Sequence, residues 1–170
     1  MLRRFQLIWF VFICFIAITI NFEAIALPNA SGKVILTLTG EVADKNSQAG
    51  AQFDLAMLEK LPAQTFTTKT PWDKAPIKFK GALLRDVLAA AKASGSTLHA
   101  VALNDYQTSI PVEDTTHFDM IIAYEMNDQP IPVRTKGPLF IVYPFDAKPE
   151  LQSTRFYERS AWQLKQIKVK

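Results

Sequence analysis

The apolar segments of this chain are short, and most of them end at a proline, a glycine or an Asn-Asp pair. Lys33–Val42 alternates apolar and polar residues, whereas Met120–Met126 is mostly apolar. Alternation is typical of a strand with one face in water, and a short apolar run is typical of a buried strand. The 10 prolines outnumber the 6 glycines, which favours a loop-rich fold over a helical bundle. We therefore expect about eight to ten short strands.

One segment has a clear helical pattern. Ala82–Ser94 carries a single apolar face and is followed by Gly95 as a stop signal; the face consists of Leu83, Leu84, Val87, Leu88 and Ala91. Phe53–Leu61 is a weaker helix candidate with Asp54 as its N-cap, and Asp114 is expected to cap a short helical turn. One main helix among many strands predicts an α+β domain with a β-rich mixed sheet.

The N-terminal residues have the pattern of an export signal. A short basic region, Met1–Arg4, precedes the apolar run Leu7–Ile20, and Ala24-Ile25-Ala26 supplies the small residues of a cleavage site. An uncleaved anchor is the alternative, but the apolar run is shorter than the ~20 residues that a spanning helix needs. We expect a cleaved signal peptide, residues 1–26, and one domain, residues 27–170. The mature protein is then periplasmic and does not span the membrane.

Composition excludes several classes of function. The single cysteine, Cys14, lies in the apolar run, so residues 27–170 contain none. This excludes disulfides, thiolate metal ligands and a cysteine nucleophile from the mature domain. The net charge of +3 is too small to indicate a nucleic-acid partner.

Thr65–Gly81 is the stretch that most suggests a binding site. It begins with alternating threonine and aromatic residues, as in a strand, and then breaks at Thr70-Pro71-Trp72. This places hydroxyl groups and an indole at a strand end. There the hydroxyls could hydrogen-bond to a polar heteroaromatic ring, and the indole could stack on it. The alternative is that Trp72 fills the core beneath a loop.

Three further groups of residues allow two interpretations each. Asn104-Asp105-Tyr106 is either an ordinary turn or a polar rim facing Trp72, in which the Asp105 carboxylate accepts two donors side by side. Arg134 and Lys136 form either a solvated loop or a clamp for an anion or a carbonyl. Tyr143 belongs either to the core or to a pocket wall.

The order of the motifs is that of a known family. Phe79-x-Gly81-x-x-Leu84-x-Asp86-x-Leu88 is followed by Ala102–Tyr106, Ile110-Pro111, Ile122–Tyr124, Lys136–Leu139, Tyr143-Pro144 and Arg159-Ser160-x-Trp162-Gln163-Leu164. This order resembles the molybdopterin-binding domain of the sulfite oxidase superfamily over about Val34–Val169. It looks closest to the small periplasmic pterin-binding proteins that lack the molybdenum-ligating cysteine.

The resemblance implies a mixed α+β, barrel-like fold with a pocket for a pterin cofactor. Enzymes of the superfamily hold molybdenum through a pterin dithiolene and a protein cysteine. The matching loop here, Thr65–Trp72, contains threonines, and a hydroxyl does not replace a soft thiolate on molybdenum. The resemblance therefore implies a reduced, metal-free pterin as ligand, in preference to molybdopterin.

The implied function is non-catalytic pterin binding in the periplasm, with signalling to a membrane partner that makes or degrades cyclic-di-GMP. One alternative is a divergent molybdopterin-dependent oxidoreductase, and another is a partner-binding domain whose pocket has filled in. The resemblance implies stacking by Trp72, and a surrounding set formed by Thr68, Thr70, Asn104, Asp105, Tyr106, Arg134, Lys136 and Tyr143. No metal ligand and no catalytic residue is expected among them.

Overall fold

A computed structural model of the protein describes residues 26–170. The expected signal peptide and Cys14 therefore lie outside the described residues, apart from Ala26. These residues form ten strands: β1 Leu36–Gly40, β2 Ala51–Phe53, β3 Ala63–Thr68, β4 Ile77–Leu83, β5 Thr97–Ala102, β6 Gln107–Pro111, β7 Ile121–Met126, β8 Gln129–Pro130, β9 Phe140–Val142 and β10 Leu164–Val169. The helices are α1 Leu55–Glu59, α2 Leu84–Ala90, α3 Asp114–His117 and α4 Thr154–Arg159, with a 3₁₀ turn at Pro149–Leu151.

The strands form two sheets. The first has the order β2-β1-β10-β5-β6, in which β1 and β10 are parallel and the other pairs are antiparallel. The second is antiparallel, with β3, β4 and β7 side by side and both β8 and β9 on the far edge of β7. The mixed α+β fold, dominated by sheet, is the one that the sequence predicts.

Alternation in the sequence decides which side of the first sheet is buried. In β1, Leu36 and Leu38 are fully buried while Thr37 is partly exposed. In β5, Leu98, Ala100 and Ala102 are buried in the same way. Since β7 and β9 are buried along most of their length, the second sheet contributes continuous apolar runs to the same core.

The segment before β10 joins the two sheets. Ile141 N–H donates to the Ala161 carbonyl at 3.0 Å, and Leu164 N–H donates to the Leu139 carbonyl at 2.9 Å. The chain then enters β10 in the first sheet. Trp162, which bridges to Phe140 in β9, is consequently fixed at the junction of the sheets.

The helices show what the sequence predicts well and what it does not. Asp54 is the N-cap of α1, as expected, and accepts from Met57 N–H at 2.9 Å. It also accepts from Ser31 and Gly32 N–H, and these hydrogen bonds hold the pKa of its carboxyl below the ordinary value. The main helix, α2, is shorter than the expected range because the chain leaves the helical conformation by Lys92, whose φ is 45°.

Two expectations about helices are wrong. Asp114 makes no cap hydrogen bond to α3, because its carboxylate is buried and bonded to distant side chains instead. The sequence of Pro144–Arg155 shows no helical periodicity and predicts a loop, but this stretch contains the 3₁₀ turn and the start of α4. None of the helices formed by residues 26–170 combines the length and the apolar character needed to cross a bilayer.

Candidate ligand-binding cleft

A cleft of about 210 Å³ opens beside Trp72. Three parts of the chain surround it: the loop between β3 and β4, the turn between β5 and β6, and the segment from the end of α4 to Trp162. Its walls consist of Trp72, Asn104, Tyr106, Tyr157, Glu158, Ser160 and Trp162. The cleft thus combines four aromatic rings with an amide, a carboxylate and a hydroxyl.

Trp72 is the central ring of this site. It is half-buried, and its indole meets the Trp162 indole edge to face, with centroids 5.3 Å apart and planes at 88°. Tyr157 lies at 6.0 Å, and Phe140 and Phe145 lie behind at 5.8 and 6.2 Å. The ring packs against the core on one side and lines open space on the other, so the core interpretation of Trp72 holds in part and stacking on a ligand stays a prediction.

The rim of the cleft is polar. The Tyr106 hydroxyl donates to the Glu158 backbone carbonyl at 2.6 Å, which links the β5–β6 turn to α4. Asn104 Oδ1 accepts from Tyr106 N–H at 3.1 Å, so the tripeptide does form an Asx-type turn. This use of Oδ1 leaves the Asn104 amide nitrogen with no hydrogen bond among the described residues, and the Glu158 carboxylate is likewise unpaired among them.

The sequence does not indicate four of the seven lining residues. Tyr157, Glu158, Ser160 and Trp162 were not predicted to belong to a site, although Trp162 lies in the motif that closes the family pattern. The miss follows from α4, Thr154–Arg159, which the sequence does not predict and which places Tyr157 and Glu158 in the wall of the cleft. A second signal was available, since residues 27–170 contain only two tryptophans and both line the cleft.

The two threonines do not line the cleft. Thr68 is buried, and its hydroxyl accepts from Asp146 N–H at 3.0 Å. The Thr70 hydroxyl donates to the Asp73 carboxylate at 2.7 Å and accepts from Trp72 N–H at 3.3 Å. Both hydroxyls therefore hold the Trp72 loop in shape, and their expected contact with a ligand is not provided by this geometry.

The expected charged residues also lie elsewhere. Asp105 adopts a left-handed backbone, with φ of 63°, and its exposed carboxylate pairs with Lys165 at 3.1 Å. Arg134 is exposed outside the cleft, and Lys136 is ion-paired with Asp73. Of the nine predicted site residues, only Trp72, Asn104 and Tyr106 line the cleft.

Tyr143 belongs to the core. Its ring is fully buried, and its hydroxyl donates to the Asp114 carboxylate at 2.7 Å. Arg159 donates to the same oxygen at 2.8 Å. Burial, together with the Asp114 carboxylate, raises the pKa of the Tyr143 hydroxyl far above its ordinary range. The group is thus a neutral donor at any physiological pH.

The side chains around the cleft determine whether a metal-containing cofactor fits there. Among residues 26–170, no three His, Cys, Asp or Glu side chains are grouped as metal ligands, and no cysteine occurs. The aromatic walls suit the ring system of a pterin, but no thiolate is available to a molybdenum ion at the Trp72 loop. The ring part of a molybdopterin fits this site, and the protein ligand to its metal is lacking.

Comparisons with known proteins agree with the motif order. Residues 36–146 match the family described as the oxidoreductase molybdopterin binding domain. The fold is similar to the crystal structure of the sulfane dehydrogenase SoxCD from Paracoccus pantotrophus, with a TM-score of 0.59 and 17% sequence identity. The similarity covers 79% of this chain but 37% of that one, so this chain spans well under half of the larger protein. No curated protein matches the chain.

Proposed function

Because the chain belongs to the oxidoreductase molybdopterin-binding domain family, we propose that its cleft binds a reduced, metal-free pterin without catalysis. The observation that carries the proposal is the pair of perpendicular indoles, Trp72 and Trp162, on the wall of a cleft with a polar rim. Aromatic walls bind a flat heterocycle through its faces, and the rim reads its edge.

The size of the cleft supports a ligand of this kind. An apolar cavity of roughly 150 Å³ accommodates one benzene molecule. The cleft measures about 210 Å³ and is open on one side. It therefore has room for a fused two-ring heterocycle, with any substituent directed into solvent.

The chemistry of the rim supports a pterin among such heterocycles. The pyrimidine edge of a pterin presents an amino group and a ring N–H side by side, with a carbonyl next to them. The Glu158 carboxylate offers two acceptors to the paired donors, and the Asn104 amide nitrogen offers a donor to the carbonyl. Glu158 thereby takes the role that the sequence suggested for Asp105.

The proposal concerns the pterin without its metal because the Trp72 loop has no cysteine. A divergent molybdopterin-dependent oxidoreductase remains the alternative, and the family match is the observation that favours it. The two differ in whether the native protein contains molybdenum.

Export and signalling complete the proposal. A periplasmic domain cleaved after Ala26 would report pterin levels to a membrane protein with cyclic-di-GMP synthase or hydrolase domains. The support for export is the N-terminal pattern of Met1–Ala26. Sequencing the N-terminus of the exported protein tests the first step, which requires Leu27 as the first residue.

Calorimetric titration with a reduced pterin, without oxygen, tests the binding site. Trp72→Ala should weaken binding by roughly 5- to 150-fold, because base–aromatic stacking contributes roughly 1–3 kcal/mol. Phe66→Ala is the matched control, since Phe66 is a half-buried ring in β3 that does not line the cleft. The proposal fails if the wild-type chain shows no saturable binding, or if Trp72→Ala and Phe66→Ala bind equally well.

A further inference from the structure

Asp73 ties the Trp72 loop to a distant loop of the chain. Asp73 directly follows Trp72 in the sequence. Its carboxylate accepts hydrogen bonds from the Thr70 hydroxyl and from the Lys136 ammonium. The side chains of Lys136 and Asp73 are only 19% and 22% exposed. Partial burial strengthens such a pair relative to an exposed one, and the Thr70 hydroxyl fixes the orientation of the carboxylate.

Lys136 also holds the second indole, through its backbone. Its carbonyl accepts from Gln163 N–H at 2.9 Å, and Gln163 follows Trp162. The Gln163 side chain donates to the Val133 carbonyl at 2.7 Å, which gives this loop a second attachment. The Gln163 carbonyl in turn accepts from Leu103 N–H at 2.7 Å, so the turn that carries Asn104 is attached at the same point.

The loop that carries Lys136 is held in one conformation by its own backbone hydrogen bonds. The Pro132 carbonyl accepts from both Thr135 N–H and Gly137 N–H, each at 3.0 Å. Gly137 is buried, and a side chain there would overlap the Ile131 carbonyl. Lys136 therefore projects from a fixed backbone, and its ammonium and carbonyl are held in one relative arrangement.

We propose that Lys136 is a positioning residue that sets the spacing of Trp72 and Trp162 and does not contact the ligand. Its ammonium holds Asp73 beside one indole, and its carbonyl holds Gln163 beside the other. The Lys136–Asp73 ion pair is the half of this link that a substitution can remove, because the backbone half, from Gln163 N–H to the Lys136 carbonyl, persists in any variant. The inference rests on the proposed function only for its binding readout.

The test uses Lys136→Met and Asp73→Asn, which remove the two charges and keep the side-chain size. Lys136→Arg retains the positive charge. Lys78→Met is the matched control, since Lys78 forms an exposed ion pair with Asp128 far along the chain from the cleft. All variants are made in the full chain carrying Trp9→Phe, so that Trp72 and Trp162 are the remaining tryptophans.

The first readout needs no ligand. Acrylamide quenching and near-ultraviolet circular dichroism of the two indoles should change in Lys136→Met and in Asp73→Asn, in the same direction. The double variant should look like either single one, because both remove the same link. Lys136→Arg should restore most of the wild-type signal, and Lys78→Met should not alter it.

The second readout is affinity for a reduced pterin. Lys136→Met and Asp73→Asn should each weaken binding by about tenfold, and the double variant by no more than either. If Lys136 contacted the ligand, Lys136→Met would weaken binding while Asp73→Asn would not, and the ligand-free signals would stay unchanged. That result, or unchanged signals and affinity in both variants, overturns the inference. A change in the ligand-free signals with no pterin binding in the wild type would refute the proposed function alone.

Discussion

Two clusters of aromatic rings lie next to each other in this protein, and they differ in the hydrogen bonding of the polar groups around them. The Trp72 cluster consists of Trp72, Trp162, Tyr157, Phe140 and Phe145. The Tyr143 cluster consists of Tyr143, Phe118 and Phe156, with Phe118 and Phe156 at 5.2 Å and Tyr143 and Phe156 at the same distance. Both are dense and both contain residues that the sequence suggested for a site.

The difference lies in the hydrogen bonds. In the Tyr143 cluster the Asp114 carboxylate is buried and accepts from both Tyr143 and Arg159. Beside the Trp72 cluster, Glu158 and Asn104 line the cleft, and the Glu158 carboxylate and the Asn104 amide nitrogen have no hydrogen-bond partner among the described residues. Buried polar groups that are satisfied stabilise a fold, whereas polar groups left facing a cleft are available to a ligand. We therefore expect substitutions in the two clusters to separate stability from binding.

Arg159→Met should have the largest effect, and on stability. It leaves the Asp114 carboxylate, 10% exposed, without its positive partner, which should cost about 3 kcal/mol of unfolding free energy. Urea denaturation measures this cost. Pterin affinity should change less than threefold, because Phe156 and Ser160 still anchor α4. If the loss of binding free energy in Arg159→Met were as large as the loss of unfolding free energy, stability and binding would not separate between the two clusters.

Glu158→Gln should have the opposite profile. Replacing one carboxylate oxygen by an amide nitrogen sets a donor against the pterin's donors, which should weaken binding about tenfold. Calorimetric titration measures the affinity, and thermal melting should show an unchanged midpoint because Glu158 is exposed. Glu150→Gln, at an exposed position outside the cleft, is the control. Unchanged affinity in Glu158→Gln would remove this residue from the site.

Tyr143→Phe should have the smallest effect, about 1 kcal/mol of unfolding free energy at pH 8. The raised pKa gives the sign of the pH dependence. The unfolded chain ionises Tyr143 near pH 10 and the folded protein does not, so the stability due to Tyr143 is present below pH 10 and lost above it. The difference between wild type and variant should narrow as the pH rises through 10. A constant difference would mean that Tyr143 ionises equally in both states.

The sequence predicted the strands better than the site, for a physical reason. Alternation and short apolar runs report burial directly, and Leu36, Leu38 and Leu98 are buried as their patterns indicate. The Asp54 cap was also predictable, since capping depends on residues only three positions apart. Asp114 looked like another cap, but its partners, Tyr143 and Arg159, are 29 and 45 positions away.

The site depends on contacts of that long-range kind. Trp72, Asn104 and Tyr106 could be predicted because each lies at a turn with its own local signal. Glu158 could not, because its place in the cleft depends on α4 and on the junction at Trp162. Likewise, nothing near Lys136 in the sequence indicates Asp73, which lies 63 positions earlier. Side chains with the right chemistry were identified, and their partners were not.

Identifying the small molecule that is bound to the protein purified from its native host tests the central claim most directly. Mass spectrometry of the released ligand and metal analysis of the same sample should give a reduced pterin in stoichiometric amount, with molybdenum well below one atom per chain. Stoichiometric molybdenum with a dithiolene-bearing pterin would contradict the account and favour the oxidoreductase.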